Sequence, residues 1–236
     1  MADRQATAPP RVTFLLDVDN TLLDNDAAKT DIAAALVSLL GDADADRFWQ
    51  FYEEVRHDEG MVNVPLTLAR FEHATGMESD RARRFALADL LMGVPYGHYL
   101  YPGALATIAH LRRLGRVAIL SDGDPTFQPS KIWRAGLDAA VEGYVLVFDH
   151  KEDHLDEVIA AFPADHYVLV DDKPGILVRV RERITVPLTT VFVRQGKYAV
   201  SDPDAASSAD LSIPTIADLI AYDPDSLITA SQRPAT

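Results

Sequence analysis

The 236-residue sequence contains no cysteine, which excludes disulfide bonds, thiolate metal ligands and a cysteine nucleophile. Positive charge is also scarce: 22 lysines and arginines stand against 36 aspartates and glutamates, giving a formal net charge of −14. A surface that binds nucleic acid or an anionic membrane normally carries the opposite sign. We therefore expect neither nucleic-acid nor membrane partners. The lack of cysteine fits the reducing cytoplasm, where we expect the protein to act.

Long apolar runs are missing as well, and no stretch approaches the roughly 18 apolar residues of a membrane-spanning helix. Residues 1–10 are polar, contain two prolines and lack the apolar segment of a signal peptide, so we expect a short disordered tail. With 48% hydrophobic residues, the rest of the chain can bury the core of one domain that carries a modest insertion.

Five short apolar runs suit strands that are buried on both faces of a sheet. They occupy residues 12–16, 116–120, 144–148, 167–170 and 190–193. Each of the last four is preceded by an amphipathic segment of helical length, at residues 104–114, 126–135, 152–162 and 174–183. This alternation predicts an α/β fold with a parallel sheet and right-handed crossovers.

Residues 24–99 break the alternation, because they have helical periodicity, glycine punctuation and no strand pattern. We predict that they form a small helical domain inserted into an α/β core made of residues 11–23 and 100–236. The charge-dense run at 42–46 is predicted to be a loop between two helices of the insertion. Residues 201–210, rich in serine, alanine and aspartate, are predicted to be a loop of the core.

Polar side chains follow four of the predicted strands, at the edge of the sheet where ligands bind in parallel α/β folds. In strand order they are Asp17 and Asp19, then Ser121, then Lys151, then Asp171 and Asp172. Such a set suits phosphoryl transfer. One carboxylate can attack phosphorus, a second can exchange protons with the leaving group and water, and a hard cation such as Mg²⁺ can neutralise the crowded acids. A hydroxyl and an ammonium can hold the remaining phosphoryl oxygens.

The segment DVDNTLLD, from Asp17 to Asp24, resembles motif one of the haloacid dehalogenase superfamily. Ser121 after RVAIL resembles motif two, Lys151 resembles motif three, and the pair DD after YVLV resembles motif four, all in the family's order. This resemblance implies a Rossmann-like parallel sheet with strand order 5-4-1-2-3. It also implies that the helical insertion is a cap of the C1 type.

The resemblance implies a role for each of these side chains. Asp17 would be the nucleophile and a metal ligand, and Asp19 the general acid and base, with its carbonyl oxygen also on the metal. Ser121 and Lys151 would hold the phosphoryl group. Asp172 would complete an Mg²⁺ site, with Asp171 as a second ligand or an outer partner. The implied reaction is hydrolysis of a small phosphorylated metabolite, a phosphomonoester, through an aspartyl-phosphate.

Other residues compete for some of these roles. Lys131, in the helix after the second strand, and Lys173, after the acidic pair, could each supply the cation instead of Lys151. Asp122 and Asp124 are predicted to be loop or helix-capping carboxylates. The remaining polar candidates are two histidines with a predicted packing or surface role, His150 and His154, and possible substrate contacts at Tyr52, Arg56, His57, Arg70 and residues 96–99.

Four other functions remain open on the same fold. A sugar-phosphate mutase would share the aspartyl-phosphate step. A 2-haloacid dehalogenase is disfavoured because the dehalogenases of the superfamily lack an acid at the position of Asp19, since a halide leaves without a proton. A phosphonate-cleaving enzyme also lacks that acid and needs a cap lysine, for which only Lys29 is available. A non-catalytic binding protein would ordinarily have lost one of the four elements.

Overall fold

The computed structural model describes residues 12–201 and 208–231. The predicted tail at residues 1–10 lies outside these ranges, and so does most of the loop predicted at residues 201–210. No helix within the described ranges is both long enough and apolar enough to cross a membrane.

A parallel sheet forms the centre of the fold. Its strands are β1 (Val12–Leu16), β2 (Arg116–Asp122), β3 (Val145–Phe148), β4 (His166–Asp171), β5 (Leu188–Val193) and β6 (Leu211–Ile213), in the spatial order β3-β2-β1-β4-β5-β6. The α/β fold is confirmed, and the first five strands have the predicted order. The sixth was not predicted, because three residues are too few to show a strand period.

Alternate residues of β1 point to opposite faces of the sheet, as the strand period requires. Phe14 and Leu16 belong to the apolar core on one face, and Leu15 belongs to the core on the other. Since helices cover both faces, β1 is buried along its whole length. That burial explains why its sequence is continuously apolar rather than alternating.

The helices in the described ranges fall into two groups. Four lie between β1 and β2: α1 (Asn25–Leu40), α2 (Asp42–Glu59), α3 (Val64–Thr75) and α4 (Arg81–Met92). The others follow: α5 (Ala104–Leu111), α6 (Phe127–Arg134), α7 (Leu137–Ala140), α8 (Leu155–Ala161), α9 (Pro174–Arg183), α10 (Tyr198–Ser201) and α11 (Pro224–Ala230).

Helices α1 to α4 pack around an apolar core of their own. Leu36, Phe48, Phe71 and Leu87 are buried there, and the rings of Phe48 and Phe71 meet edge to face at 5.6 Å. The helical character predicted for the insertion is therefore present, while its status as a separate domain stays a prediction.

The prediction of a loop at residues 42–46 is wrong, because α2 begins at Asp42. Acidic side chains in a first helical turn are stabilised by the positive end of the helix dipole, so Asp42 and Asp44 favour this helix start.

A tight turn follows β1 and contains Asp19. The amides of Leu22 and Leu23 both donate to the carbonyl of Val18, at 2.9 and 3.0 Å, so the chain folds back on itself between residues 18 and 23. Asn20 adopts a positive φ of 60°, which asparagine tolerates better than most residues. Its side chain accepts hydrogen bonds from the amides of Asn25 and Asp26, and thereby ties the turn to the start of α1.

Candidate active site

A buried ion-pair cluster lies at the carboxyl edge of β1 and β4. The Lys151 ammonium is 2.6 Å from Asp17 Oδ1 and 2.6 Å from Asp171 Oδ2, and all three side chains are fully or almost fully buried. Lys151 reaches this position from a 3-10 turn after β3, Lys151–Asp153. Burial by itself lowers the pKa of Lys151, but Asp17, Asp171 and Asp122 together raise it well above its ordinary value. The lysine is therefore a fixed positive charge beside Asp17.

Three carboxylates at this edge could hold a metal ion. Asp17, Asp171 and Asp172 each present an oxygen within 4.8 Å of the others, and all three are buried. Neither oxygen of Asp172 has a hydrogen-bond partner within residues 12–201 and 208–231. Burial and then the charges of Asp171 and Asp17 raise the pKa of Asp172 to about 9. Buried oxygens that lack partners and repel one another fit a hard divalent cation, which prefers carboxylate ligands.

Asp19 lies apart from that cluster, at the wall of a cavity. One of its oxygens is bound to the ammonium of Lys131, from α6, and the other is 3.5 Å from the amide nitrogen of Gln128. Burial alone raises the pKa of Asp19, yet the charge and hydrogen bond of Lys131 hold this pKa below its ordinary value. The side chain keeps 28% of its surface exposed, so a ligand in the cavity can reach it.

Gln128 links the second strand to the acidic turn. Its amide nitrogen donates to the Ser121 hydroxyl at 3.0 Å and also approaches Asp19. Lys131, one helical turn further along α6, additionally donates to Asn25 Oδ1 at 2.7 Å. Helix α6 therefore holds Ser121 and Asp19 in place together.

Two further charges surround the cluster. Asp122 accepts a hydrogen bond from the backbone amide of Lys151 at 2.9 Å, and its second oxygen is 3.8 Å from the ammonium groups of both Lys151 and Lys173. Burial lowers the pKa of Lys173, but the nearby Asp17 and Asp171 charges outweigh burial and raise it. Asp122 thus joins the charge cluster, whereas Asp124 caps α6 by accepting from the amides of Thr126 and Phe127.

The cavity above the sheet edge has a volume of about 700 Å³. Core loops and helices form one side, and α1 to α4 of the insertion contribute the other. Aromatic residues of its wall include Phe48, Trp49, Tyr52 and Tyr96. Of the substrate-contact candidates from the insertion and its linker, Tyr52, Arg56 and Tyr96 line this space.

The sequence-predicted site residues meet at one edge of the sheet. Asp17, Lys151, Asp171 and Asp172 form the buried cluster, while Asp19 faces the cavity from the same turn. Of the competing lysines, Lys151 contacts Asp17 and Lys131 contacts Asp19, while the ammonium of Lys173 is 3.8 Å from Asp122.

His150 lines the cavity. His154 lies between Asp149 and Glu157 and stacks on Phe148, which matches a packing and surface role.

Sequence reasoning missed Gln128 altogether and treated Lys131 only as a rival of Lys151. A signal was present, because both lie on one face of α6 at a spacing of three residues, directly after the strand that carries Ser121. What the sequence could not show is that this face turns towards Asp19.

Comparison with known proteins identifies the family of the chain. The family model described as haloacid dehalogenase-like hydrolase matches residues 12–193. No curated protein matches the sequence significantly. Among solved structures, a haloacid dehalogenase-like hydrolase from Burkholderia xenovorans shares 40% identity, with a TM-score of 0.82 over 93% of this chain and 99% of that one.

More distant structures share the fold at 17% identity. The HAD-hydrolase YfnB from Bacillus subtilis, bound to magnesium, has a TM-score of 0.57 over 89% of this chain and 97% of its own. An L-2-haloacid dehalogenase from Xanthobacter autotrophicus, with chloropropionic acid covalently bound, has a TM-score of 0.54 over 89% and 96%. Since the family model covers most of the chain, the protein is a hydrolase that belongs to the haloacid dehalogenase-like family.

Proposed function

We propose that this hydrolase is a magnesium-dependent phosphatase that cleaves a small phosphomonoester through a phosphorylated Asp17. One observation carries the choice of reaction: Asp19, an acid two residues after Asp17, faces the cavity. An alkoxide leaving group needs a proton and a halide does not, so an acid at this position favours ester cleavage. The fold alone does not decide, because structures of the same fold include dehalogenases.

The proposed reaction uses this chain's side chains in two steps. Asp17 attacks phosphorus while Asp19, which enters this step protonated, gives its proton to the departing ester oxygen, so that the step leaves an aspartyl-phosphate and an Asp19 carboxylate. Asp19 then takes a proton from water as the water attacks, releasing phosphate and regenerating Asp17. Lys151 and the hydroxyl of Ser121 hold the phosphoryl oxygens as charge develops. Lys151 also orients Asp17, because its ammonium is 2.6 Å from Oδ1.

The three clustered carboxylates of Asp17, Asp171 and Asp172 support the proposed Mg²⁺ site. Asp17 and Asp172 would be ligands, the carbonyl oxygen of Asp19 would complete the protein's share, and Asp171 would bind directly or from outside. When bound, Mg²⁺ would neutralise these carboxylates and the phosphoryl oxygens.

We expect the purified protein to release phosphate from a panel of phosphomonoesters in Mg²⁺, and to lose at least about 90% of this rate in EDTA. Excess Mg²⁺ should restore the rate. Phosphate release is measured alongside halide release from 2-chloropropionate under the same conditions. Halide release without phosphate release would show that the dehalogenase alternative is correct.

We also expect Asp172→Asn to stabilise the metal-free protein as the pH rises. The raised pKa of Asp172 means that the folded chain binds a proton which the unfolded chain loses above about pH 4, so wild-type stability falls as pH increases towards about 9. Asparagine removes this loss, which can reach roughly 1.4 kcal/mol per pH unit.

Urea unfolding in EDTA at pH 5 and pH 8 measures the effect. The variant's excess free energy of unfolding over the wild type should be larger at pH 8 than at pH 5. It should disappear in Mg²⁺, because the metal binds the wild-type carboxylate and stabilises the wild-type protein. An equal effect at both pH values would contradict the proposed protonation of Asp172.

A further inference from the structure

Lys29 lies on α1, and its side chain lines the same cavity as Asp19. Its ammonium is 4.7 Å from the centroid of the Tyr52 ring and lies over the face of this aromatic side chain. Among the residues that the structure describes, no carboxylate oxygen comes within 4.0 Å of this ammonium. Lys29 therefore presents a half-buried positive charge to the cavity and has no ion-pair partner among the described residues.

The environment of Lys29 makes this charge costly to keep without an anion. Burial is the main influence and lowers the pKa of the ammonium, and Arg56 lowers it further. The charges of Glu53, Asp19 and Asp26 raise this pKa, but none of the three carboxylates is hydrogen-bonded to the ammonium. A bound anion would supply the missing close partner in a partly dehydrated site, where charge-assisted hydrogen bonds are strongest.

The other cations around the cavity are already compensated or exposed. Lys131 is bound to Asp19, Arg56 is 2.8 Å from Glu53, and Arg179 is 2.7 Å from Glu152. Lys197 stands 5.1 Å from the Tyr198 ring but is solvent-exposed, so water already solvates its charge. Lys29 is thus distinguished from these cations by being both half-buried and without a close carboxylate in the described part of the chain.

The wall beside Lys29 is apolar and aromatic. The Trp49 and Tyr52 rings meet edge to face at 5.1 Å, and Ile32 and Met61 also line the cavity. These residues line the same cavity as Asp19 and Lys29, so a ligand bound in it meets apolar surface as well as charge. A short carbon chain fits such a surface better than a strongly polar one does.

We propose that Lys29 is a specificity-determining residue that binds a second anionic group, so that the substrates are phosphomonoesters of small acidic alcohols. The second group is a carboxylate or a second phosphate. This inference rests on the proposed phosphatase function and deepens it. The phosphoryl group would lie at Asp17 and Lys151, and the second anion would lie at the ammonium of Lys29.

Four esters of equal chain length test the proposal: 3-phosphooxypropionate, propane-1,3-diol bisphosphate, 3-hydroxypropyl phosphate and 3-aminopropyl phosphate. The wild type should favour at least one of the two acidic esters over the hydroxyl ester by about tenfold or more in kcat/KM, and should handle the amine worst. Comparison of the carboxylate with the bisphosphate identifies which anion the subsite takes.

Lys29→Met should remove this preference mainly through KM, while kcat/KM for the hydroxyl ester changes by less than about threefold. Lys29→Arg should retain most of the preference, because it keeps the charge. Lys197→Met is the matched control, since it removes one exposed lysine charge from the same cavity and should leave the preference intact. Thermal unfolding of each variant establishes that it is folded.

Three results would overturn the subsite: no preference in the wild type, a preference that survives Lys29→Met, or an equal loss in Lys197→Met. The hydroxyl ester separates these failures from failure of the reaction itself. If it is hydrolysed but acidic esters are not favoured, only the subsite is wrong. If no ester is hydrolysed, the proposed phosphatase function is wrong and the subsite proposal falls with it.

Discussion

Asp17→Asn is expected to lower kcat by at least about 10³-fold, equivalent to about 4 kcal/mol of transition-state stabilisation, while the fold stays intact. An amide is a far weaker nucleophile than a carboxylate, so no aspartyl-phosphate should form. The substitution preserves size and leaves an oxygen that can still accept a hydrogen bond from Lys151, which is 2.6 Å from Oδ1 in the wild type. Steady-state kinetics and thermal unfolding measure the two parts of this prediction.

Loss of a negative charge beside Lys151 could by itself disturb the site, so a matched variant is needed. Asp122→Asn serves this purpose, because Asp122 also faces the Lys151 ammonium, at 3.8 Å, and an amide oxygen can still accept from the Lys151 backbone. It should lower kcat much less than Asp17→Asn does. If Asp17→Asn kept more than about a tenth of wild-type kcat, covalent catalysis by Asp17 would be refuted.

The sheet was predictable because its strands are buried on both faces. Such strands have continuous apolar sequences, and β1 was predicted with the bounds observed, Val12–Leu16. Strand β6 escaped prediction, since Leu211–Ile213 takes its stability from pairing with β5 rather than from a long apolar run. The start of α2 was missed for a related reason: an acidic run suits a loop and a first helical turn equally well.

The candidate site was predictable to the extent that it sits at strand ends. Parallel strands bring their carboxyl ends to one edge, so Asp17, Ser121, Lys151 and Asp171 could be placed together from order alone. The partners of Asp19 could not be predicted from strand order. Lys131 reaches it across 112 positions of sequence, through the packing of α6, and no spacing rule encodes such a contact.

Asp19→Asn is expected to impair both halves of the proposed reaction, by about 10²–10⁴-fold for an alkyl ester. In the structure Lys131 holds the pKa of Asp19 below its ordinary value, which favours the carboxylate form that accepts a proton from water and disfavours the protonated form that the first step uses. Asparagine can neither accept that proton nor give one to an alkoxide. An aryl ester such as p-nitrophenyl phosphate needs little protonation on leaving, so its first step should suffer least.

The two esters should therefore separate the steps in single-turnover experiments. With the aryl ester, Asp19→Asn should form phosphorylated Asp17 faster than water removes the phosphate, so intact-protein mass spectrometry should detect a phosphorylated chain. Asp124→Asn is the control, because Asp124 lines the same cavity but accepts only the amides of Thr126 and Phe127 among the described contacts, and an amide oxygen can do the same.

If the rates for both esters fell by a similar small factor and no phosphorylated chain accumulated, Asp19 would have only a structural role in the turn, where it pairs with Lys131. The proposal would then lose the side chain that separates a phosphatase from a dehalogenase, since Asp17, Lys151 and the cavity suit either reaction. A large alkyl-selective loss with a phosphorylated chain would instead assign both proton transfers to Asp19. The proton transfer needed by an alkoxide leaving group, rather than the fold, is therefore what distinguishes the two reactions at this site.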